Sequence, residues 1–122
     1  MSAIYLVCPV RKATAEQTAA IRQYVRQLED TGHQVYWPAR DTEQHDPTGG
    51  WQVCEQNGRA IIAADEIHVW WEHSSRGSIF DLGVAWALRM MGMRKKLVLA
   101  NDFDVPDGKA FEKVLLRWAE DD

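Results

Sequence analysis

The chain has 122 residues, with 46% hydrophobic, 26% charged and 10% aromatic side chains. That balance excludes a disordered chain and leaves room for one domain with a single core, here taken as residues 1–122. The formal charge of −4, from 14 basic and 18 acidic residues, argues against a binder of nucleic-acid polymers, because neutralising a phosphate backbone needs a positive face. A small phosphorylated molecule needs only a local cluster of donors and stays open.

No apolar run reaches the length of a membrane span, about 18 residues. The opening Met-Ser-Ala-Ile-Tyr-Leu-Val has no basic export segment and reads directly into a strand. Cys8 and Cys54 form no CxxC, so both are expected as reduced thiols of a cytoplasmic protein. The six tryptophans are many for this length.

The elements alternate along the chain. Residues 3–8 form an apolar run closed by Pro9, which suits a strand buried on both faces. Thr14-Ala-Glu-Gln17 resembles a capping box and opens a helix with Ala20, Ile21, Tyr24, Val25 and Leu28 on one face, stopped by Gly32. A short strand covers Gln34–Trp37. Residues 39–50 are polar and turn-rich, a long loop of the kind that carries function more often than not. Trp51–Ala64 predicts a second helix with Trp51, Cys54, Ile61 and Ile62 inward. Glu66–Glu72 is the third strand, and Trp70 and Trp71, being adjacent, must face opposite sides of the sheet. Ser78 is expected to cap a third helix carrying Ile79, Leu82, Val84, Ala85, Trp86 and Leu88. Lys96–Ala100 is the fourth strand, and Asp107 opens a last helix.

Alternating strands and helices predict an α/β, doubly wound, mostly parallel sheet of four to five strands, with helices on both faces. The preferred order is 2-1-3-4, the flavodoxin-like (Rossmann-like) winding. Its topological switch lies between strands 1 and 3, and ligands sit there, beyond the C-terminal strand ends. Two loops should then make a site, Pro9-Val-Arg-Lys12 and Glu72–Ser78. A helix start with Ser75, Gly77 and Ser78 can hold an anion, and Arg11 arrives from the neighbouring strand. The same serines also read as an ordinary turn and cap. Asp81, in the first turn, is favoured as an ionised carboxylate by the helix dipole, which suits a nucleophile and equally suits plain helix stabilisation.

Two stretches carry a family resemblance. Ile4-Tyr5-Leu-Val-Cys8-Pro9 resembles the first strand of nucleoside 2-deoxyribosyltransferases and related N-glycoside hydrolases. Ala64-Asp65-Glu-Ile-His-Val, followed by Ser75-Arg-Gly77-Ser-Ile-Phe-Asp81-Leu-Gly83-Val-Ala85, resembles their central signature. The resemblance implies that Asp81 attacks C1′ of a (deoxy)ribose and expels the base, with water or a second base resolving the glycosyl-enzyme. It implies that Tyr5 and Asn57 orient Asp81 and the sugar. It places Arg11, Ser75, Gly77 and Ser78 at a phosphate, with Cys8 and Pro9 against the substrate. Ser75 stands where the transferases have an Asp and the 2′-deoxynucleoside 5′-phosphate N-hydrolases a Ser, which favours a nucleotide over a free nucleoside.

Three positions depart from the family pattern. Asp81 replaces the usual Glu, Cys8 the usual Gly, and Asn57 an Asp that handles the leaving base. Asn cannot act as an acid, so Asp41, Asp46 and Glu72 become candidates, or the chain is a non-catalytic nucleotide-binding or signalling module. An oligomeric scaffold is a third reading. Trp37 is the tryptophan best placed to stack on a base, and Asp41 can close over one. No cofactor is expected, and the histidines show no metal spacing. Family members complete their sites across a subunit interface, so a homodimer or higher homo-oligomer is implied.

Overall fold

The computed structural model describes residues 1–121. Its elements are β1 (Ala3–Val7), α1 (Ala15–Asp30), β2 (Gln34–Tyr36), α2 (Pro38–Asp41), α3 (Trp51–Ala63), β3 (Glu66–Val69), α4 (Arg76–Met90), β4 (Lys96–Leu99) and α5 (Phe111–Asp121). The four strands are parallel in the order β2-β1-β3-β4. This is the expected winding, with its switch between β1 and β3.

The pleat of β1 divides the core in two. Ile4, Leu6 and Cys8 pack with Ile21 and Val25 of α1 and with Val35 and Trp37. Tyr5 and Val7 point the other way, into a larger cluster with Ile61 of α3, Leu82, Ala85 and Leu88 of α4, and Leu115 and Trp118 of α5. Trp71 enters that second cluster while Trp70 packs against the first, as two neighbours on one extended chain must.

Local chemistry explains the boundaries. Thr14 and Gln17 form the reciprocal capping box of α1. Asp65 accepts a hydrogen bond from the Ala3 N–H at 3.0 Å, while its own N–H donates to the Ala3 carbonyl at 2.7 Å. The link between α3 and β3 is thereby tied to the start of the central strand. Lys95 donates to the carbonyls of Ile62 and Ala64, satisfying the C-terminal end of α3.

Several expectations need correction. The N-cap of α4 is Ser75, whose hydroxyl accepts the Ser78 N–H. Ser78 lies inside the first turn and is buried. β3 ends at Val69, where the ladder to β4 stops. Asn101 then holds the Trp71 backbone N–H and carbonyl through its side chain, so the chain leaves extended but unladdered. α5 begins at Phe111, because Gly108 takes a left-handed turn (φ 77°) after Asp107. Part of the 39–50 loop is the short helix α2, with Pro38 in its first turn.

Trp51, Cys54 and Ile62 lie on the outside of α3 rather than in the core. Trp86 is also largely outside, edge-on to Trp118 at 5.2 Å between ring centroids. No helix among the described residues is long and apolar enough to cross a membrane.

Candidate active site

β1 and β3 are parallel neighbours, so the loops that follow them emerge at one edge of the sheet. Pro9–Lys12 and Glu72–Ser75 therefore flank the same crevice, and α4 starts from it.

The centre of this region is Asp81. The Tyr5 hydroxyl donates to Asp81 Oδ2 at 2.7 Å. Tyr5 is wholly buried in the central strand, so the carboxylate is fixed from beneath by the most rigid element of the fold. Burial raises the Asp81 pKa to about 6, and the Tyr5 hydrogen bond pulls in the opposite direction. Near neutral pH the group is an ionised carboxylate with one oxygen held and little water around it. The Tyr5 phenol is pushed far up, first by burial and then by the Asp81 charge, so Tyr5 is a hydrogen-bond donor and keeps its proton.

The chain of contacts continues to α3. Tyr5 pairs with Tyr36 across the β1–β2 ladder, and their rings stack at 5.6 Å with planes 12° apart. The Tyr36 hydroxyl lies 2.6 Å from Thr42 Oγ1, and Thr42 donates to Asn57 Oδ1 at 2.7 Å. Sequence reading singled out Tyr5, Asn57 and Asp81 but missed Tyr36 and Thr42. Tyr36 could have been suspected from alternation, since it must share a face with Tyr5 in a parallel pair. Nothing in the local sequence marks Thr42.

In the first turn of α4 the serines bond each other. Ser75 Oγ lies 3.3 Å from the Ser78 N–H and 2.8 Å from Ser78 Oγ. Gly77 is exposed, and a Cβ there would meet nothing within 4 Å. The fold itself thus gives no steric reason for glycine in this helix, where it is less favourable than alanine. Arg11 and Lys12 are exposed in the loop after β1.

Other singled-out residues are committed to the fold. Pro9 and Cys8 are buried at the end of β1, and burial pushes the Cys8 thiol up to about 12, leaving it an un-ionised packing group. Trp37 is 4% exposed and carries the Arg22 guanidinium over its ring, so within this chain no face of it is open to a base. The Asp41 carboxylate accepts from the Trp37 N–H at 2.8 Å and pairs with Arg40. Arg40 in turn grips Glu29 and the Val35 carbonyl. Asp46 folds the long loop back on itself by accepting from Thr48 and from the Val53 N–H, and these bonds hold its carboxyl below the usual range. Glu72 accepts from Ser74, which likewise lowers it. No group of three or more His, Cys, Asp or Glu among the described residues could hold a metal ion.

Two clefts, of about 340 and 450 Å³, lie along β4 and the segment leading to α5. Neither includes Asp81. Beside it, α3 and α4 present a large apolar outer surface. Trp51 is 71% exposed, Phe80 57% and Met90 70%, and Ile62, Ile79 and Trp86 are exposed as well.

No family model matches the sequence, and no curated protein matches it. Solved structures do match. A 2-deoxyribosyltransferase from Bacillus psychrosaccharolyticus superimposes with a TM-score of 0.64 at 19% identity, covering 93% of this chain and 90% of that one. A CMP N-glycosidase from Clostridium botulinum gives 0.61 at 20% identity, covering 96% and 82%. The chain shares their fold.

Proposed function

We propose that this protein cleaves, or exchanges the base across, the N-glycosidic bond of a nucleoside 5′-monophosphate or nucleoside, with Asp81 as the nucleophile. One observation carries the reading: a carboxylate at the topological switch, desolvated and held by a buried phenol 2.7 Å away. An ionised carboxylate with one free oxygen suits attack on C1′, because the transition state there carries oxocarbenium character. Holding the other oxygen through Tyr5 fixes the direction of attack at no entropic cost during the reaction. The shared fold with a deoxyribosyltransferase and a CMP N-glycosidase supports the same chemistry.

In this reading Ser75, Gly77 and Ser78 receive the 5′-phosphate at the start of α4, with Arg11 closing over it. Pro9 and the backbone of Cys8, at the end of β1, lie against the sugar. The walls missing around Asp81 come from a second copy of the chain, seated on the apolar outer face of α3 and α4. Gly83 lies exposed within that face, and a Cβ there would meet nothing within 4 Å, which leaves room for close helix approach.

The test is incubation with a panel of nucleosides and 5′-monophosphates, read by chromatography for free base. Release that is lost in Asp81→Ala supports the proposal. Stoichiometric binding without release points to a nucleotide-binding module, and an Asp81→Ala variant as active as the parent overturns the nucleophile. Light scattering should give a dimer or larger species, and Trp86→Glu should dissociate it.

A further inference from the structure

The loop that carries Ser75 is held at its root by a side chain. Backbone pairing continues past β3 to Trp70, whose N–H donates to the Val7 carbonyl at 2.8 Å, and the Ala100 N–H donates to the Val69 carbonyl at 2.8 Å. At Trp71 the Asn101 amide takes over. Its Oδ1 accepts the Trp71 N–H at 2.7 Å, and its Nδ2 donates to the Trp71 carbonyl at 3.0 Å. One side chain thus supplies the acceptor and the donor that a neighbouring strand would supply. From there to α4 the chain is a compact turn. The Ser74 N–H donates to the Glu72 carboxylate at 2.7 Å, and the Ser75 N–H to the Glu72 carbonyl at 3.0 Å. Ser75 then caps α4, so its position follows that of Trp71.

Packing alone does not fix this root. Asn101 lines one of the two clefts, and Trp71 and Glu72 line the other. The Trp71 ring is tied separately, its indole N–H donating to Glu112 Oε2 at 2.8 Å. Backbone and ring of Trp71 therefore answer to different partners. Asn suits the backbone position because it has a donor and an acceptor at one reach. An ionised Asp has no donor, Gln is a methylene longer, and Ala has neither group.

Resting on the glycosidic reading above, we infer that Asn101 is the positioning residue for the phosphate end of the site, and that preference for 5′-monophosphates over nucleosides depends on its grip on Trp71. The Ser75 hydroxyl and the N–H groups at the start of α4 hold phosphate only when aimed at it, because each bond weakens steeply with misalignment. Asp81 is held from β1 by Tyr5 and does not need the clamp. Loosening the loop root therefore weakens the hold on phosphate and leaves the attack on C1′ in register.

Matched 5′-monophosphates and nucleosides test this in the full chain. Asn101→Ala should raise KM for the monophosphate by about tenfold, with its kcat, and both constants for the nucleoside, within about threefold of the parent. Asn101→Asp keeps the bond to the N–H, loses the one to the carbonyl and should give the same split, which serves where the Ala variant does not fold. Trp71→Phe removes the indole bond and spares the backbone clamp, so it should lower stability and retain the preference for phosphate. Amide exchange gives a readout without turnover. In Asn101→Ala it should quicken at Trp71, Ser74 and Ser75 and not at Tyr5 and Leu6, whereas a plain loss of stability quickens the core amides as well. Equal KM changes for both substrate classes, a uniform rise in exchange, or Trp71→Phe losing the preference as fully as Asn101→Ala overturns this inference alone. No base release by the parent from either class overturns it together with the glycosidic reading.

Discussion

Each face of the central sheet sets a tyrosine against a shielded ionisable group, and the two arrangements end differently. On the α1 face, His68 is buried between the Tyr24 hydroxyl at Nδ1 and Glu66 at Nε2. Both ring nitrogens are satisfied, and the cluster closes on itself. On the α3–α4 face, Tyr5 holds one oxygen of Asp81, and the chain through Tyr36 and Thr42 ends on an Asn57 amide with donors to spare. Burial pushes both groups toward their neutral forms, His68 down and Asp81 up. A closed polar cluster specifies packing, whereas one left open toward a crevice can act on something else.

Removing the open end gives the largest expected effect. Asp81→Asn should lower base release by about 10³-fold or more, because it removes the nucleophile. The same variant should be more stable than the parent near neutral pH. The folded state holds the Asp81 proton more tightly than the unfolded chain does. Its contribution is therefore complete below the ordinary carboxylate range and is lost as pH rises through about 6. Asn removes that loss, a gain on the order of 2 kcal/mol by chemical denaturation.

Tyr5→Phe keeps the ring stack and deletes the donor to Asp81. The carboxylate then loses its stabilising hydrogen bond, so the ascending limb of the pH–rate profile, set near 6, should move to higher pH. The loss in kcat at neutral pH should be about 10- to 100-fold. An unmoved limb would separate Tyr5 from the titration of Asp81.

Opening the closed cluster should cost stability and spare chemistry. His68→Phe leaves Tyr24 and Glu66 without their shared partner and should destabilise by about 1–3 kcal/mol, with kcat for base release unchanged. In the parent, burial lowers the His68 pKa, so its contribution is present above its ordinary pKa and lost as pH falls through the lowered folded value. Melting temperature followed against pH should thus slope in opposite senses for the two groups, and each variant should flatten only its own limb.

The smallest effect is expected at the mouth of the crevice. Gly77→Ala should raise stability by up to about 1 kcal/mol, since helix propensity improves and nothing is crowded. It should also weaken turnover of 5′-monophosphates more than of nucleosides, as a methyl group fills the space assigned to phosphate.

Much of this was readable from the chain because it depends on short-range rules. The Thr14 box, the alternation of β1 and the strand–helix rhythm predict the winding, and the winding alone brings Arg11, Ser75 and Asp81 to one edge. The unread parts are those where the outcome depends on what lies opposite. α3 and α4 are apolar on more than one side, so periodicity could not say that Trp51, Ile62 and Trp86 face outward. Thr42 and Tyr36 meet Asn57 only after the chain has folded, and no spacing announces it. Asp41 and Asp46 looked available because the N–H groups they accept from, those of Trp37 and Val53, become neighbours through turns that polarity alone does not define.

Tyr5 sits in the middle of the central strand, fully enclosed, and its hydroxyl holds one oxygen of the Asp81 carboxylate. The proposed nucleophile, carried on α4, is therefore anchored to the central strand. Loops around the crevice can fray without misaligning it, whereas any state that loses β1 loses the site at once. Amide exchange at Tyr5 and at Asp81 should accordingly slow to the rate of global unfolding and respond together to denaturant. Partial melting would then change how substrate enters before it changes how the bond is attacked.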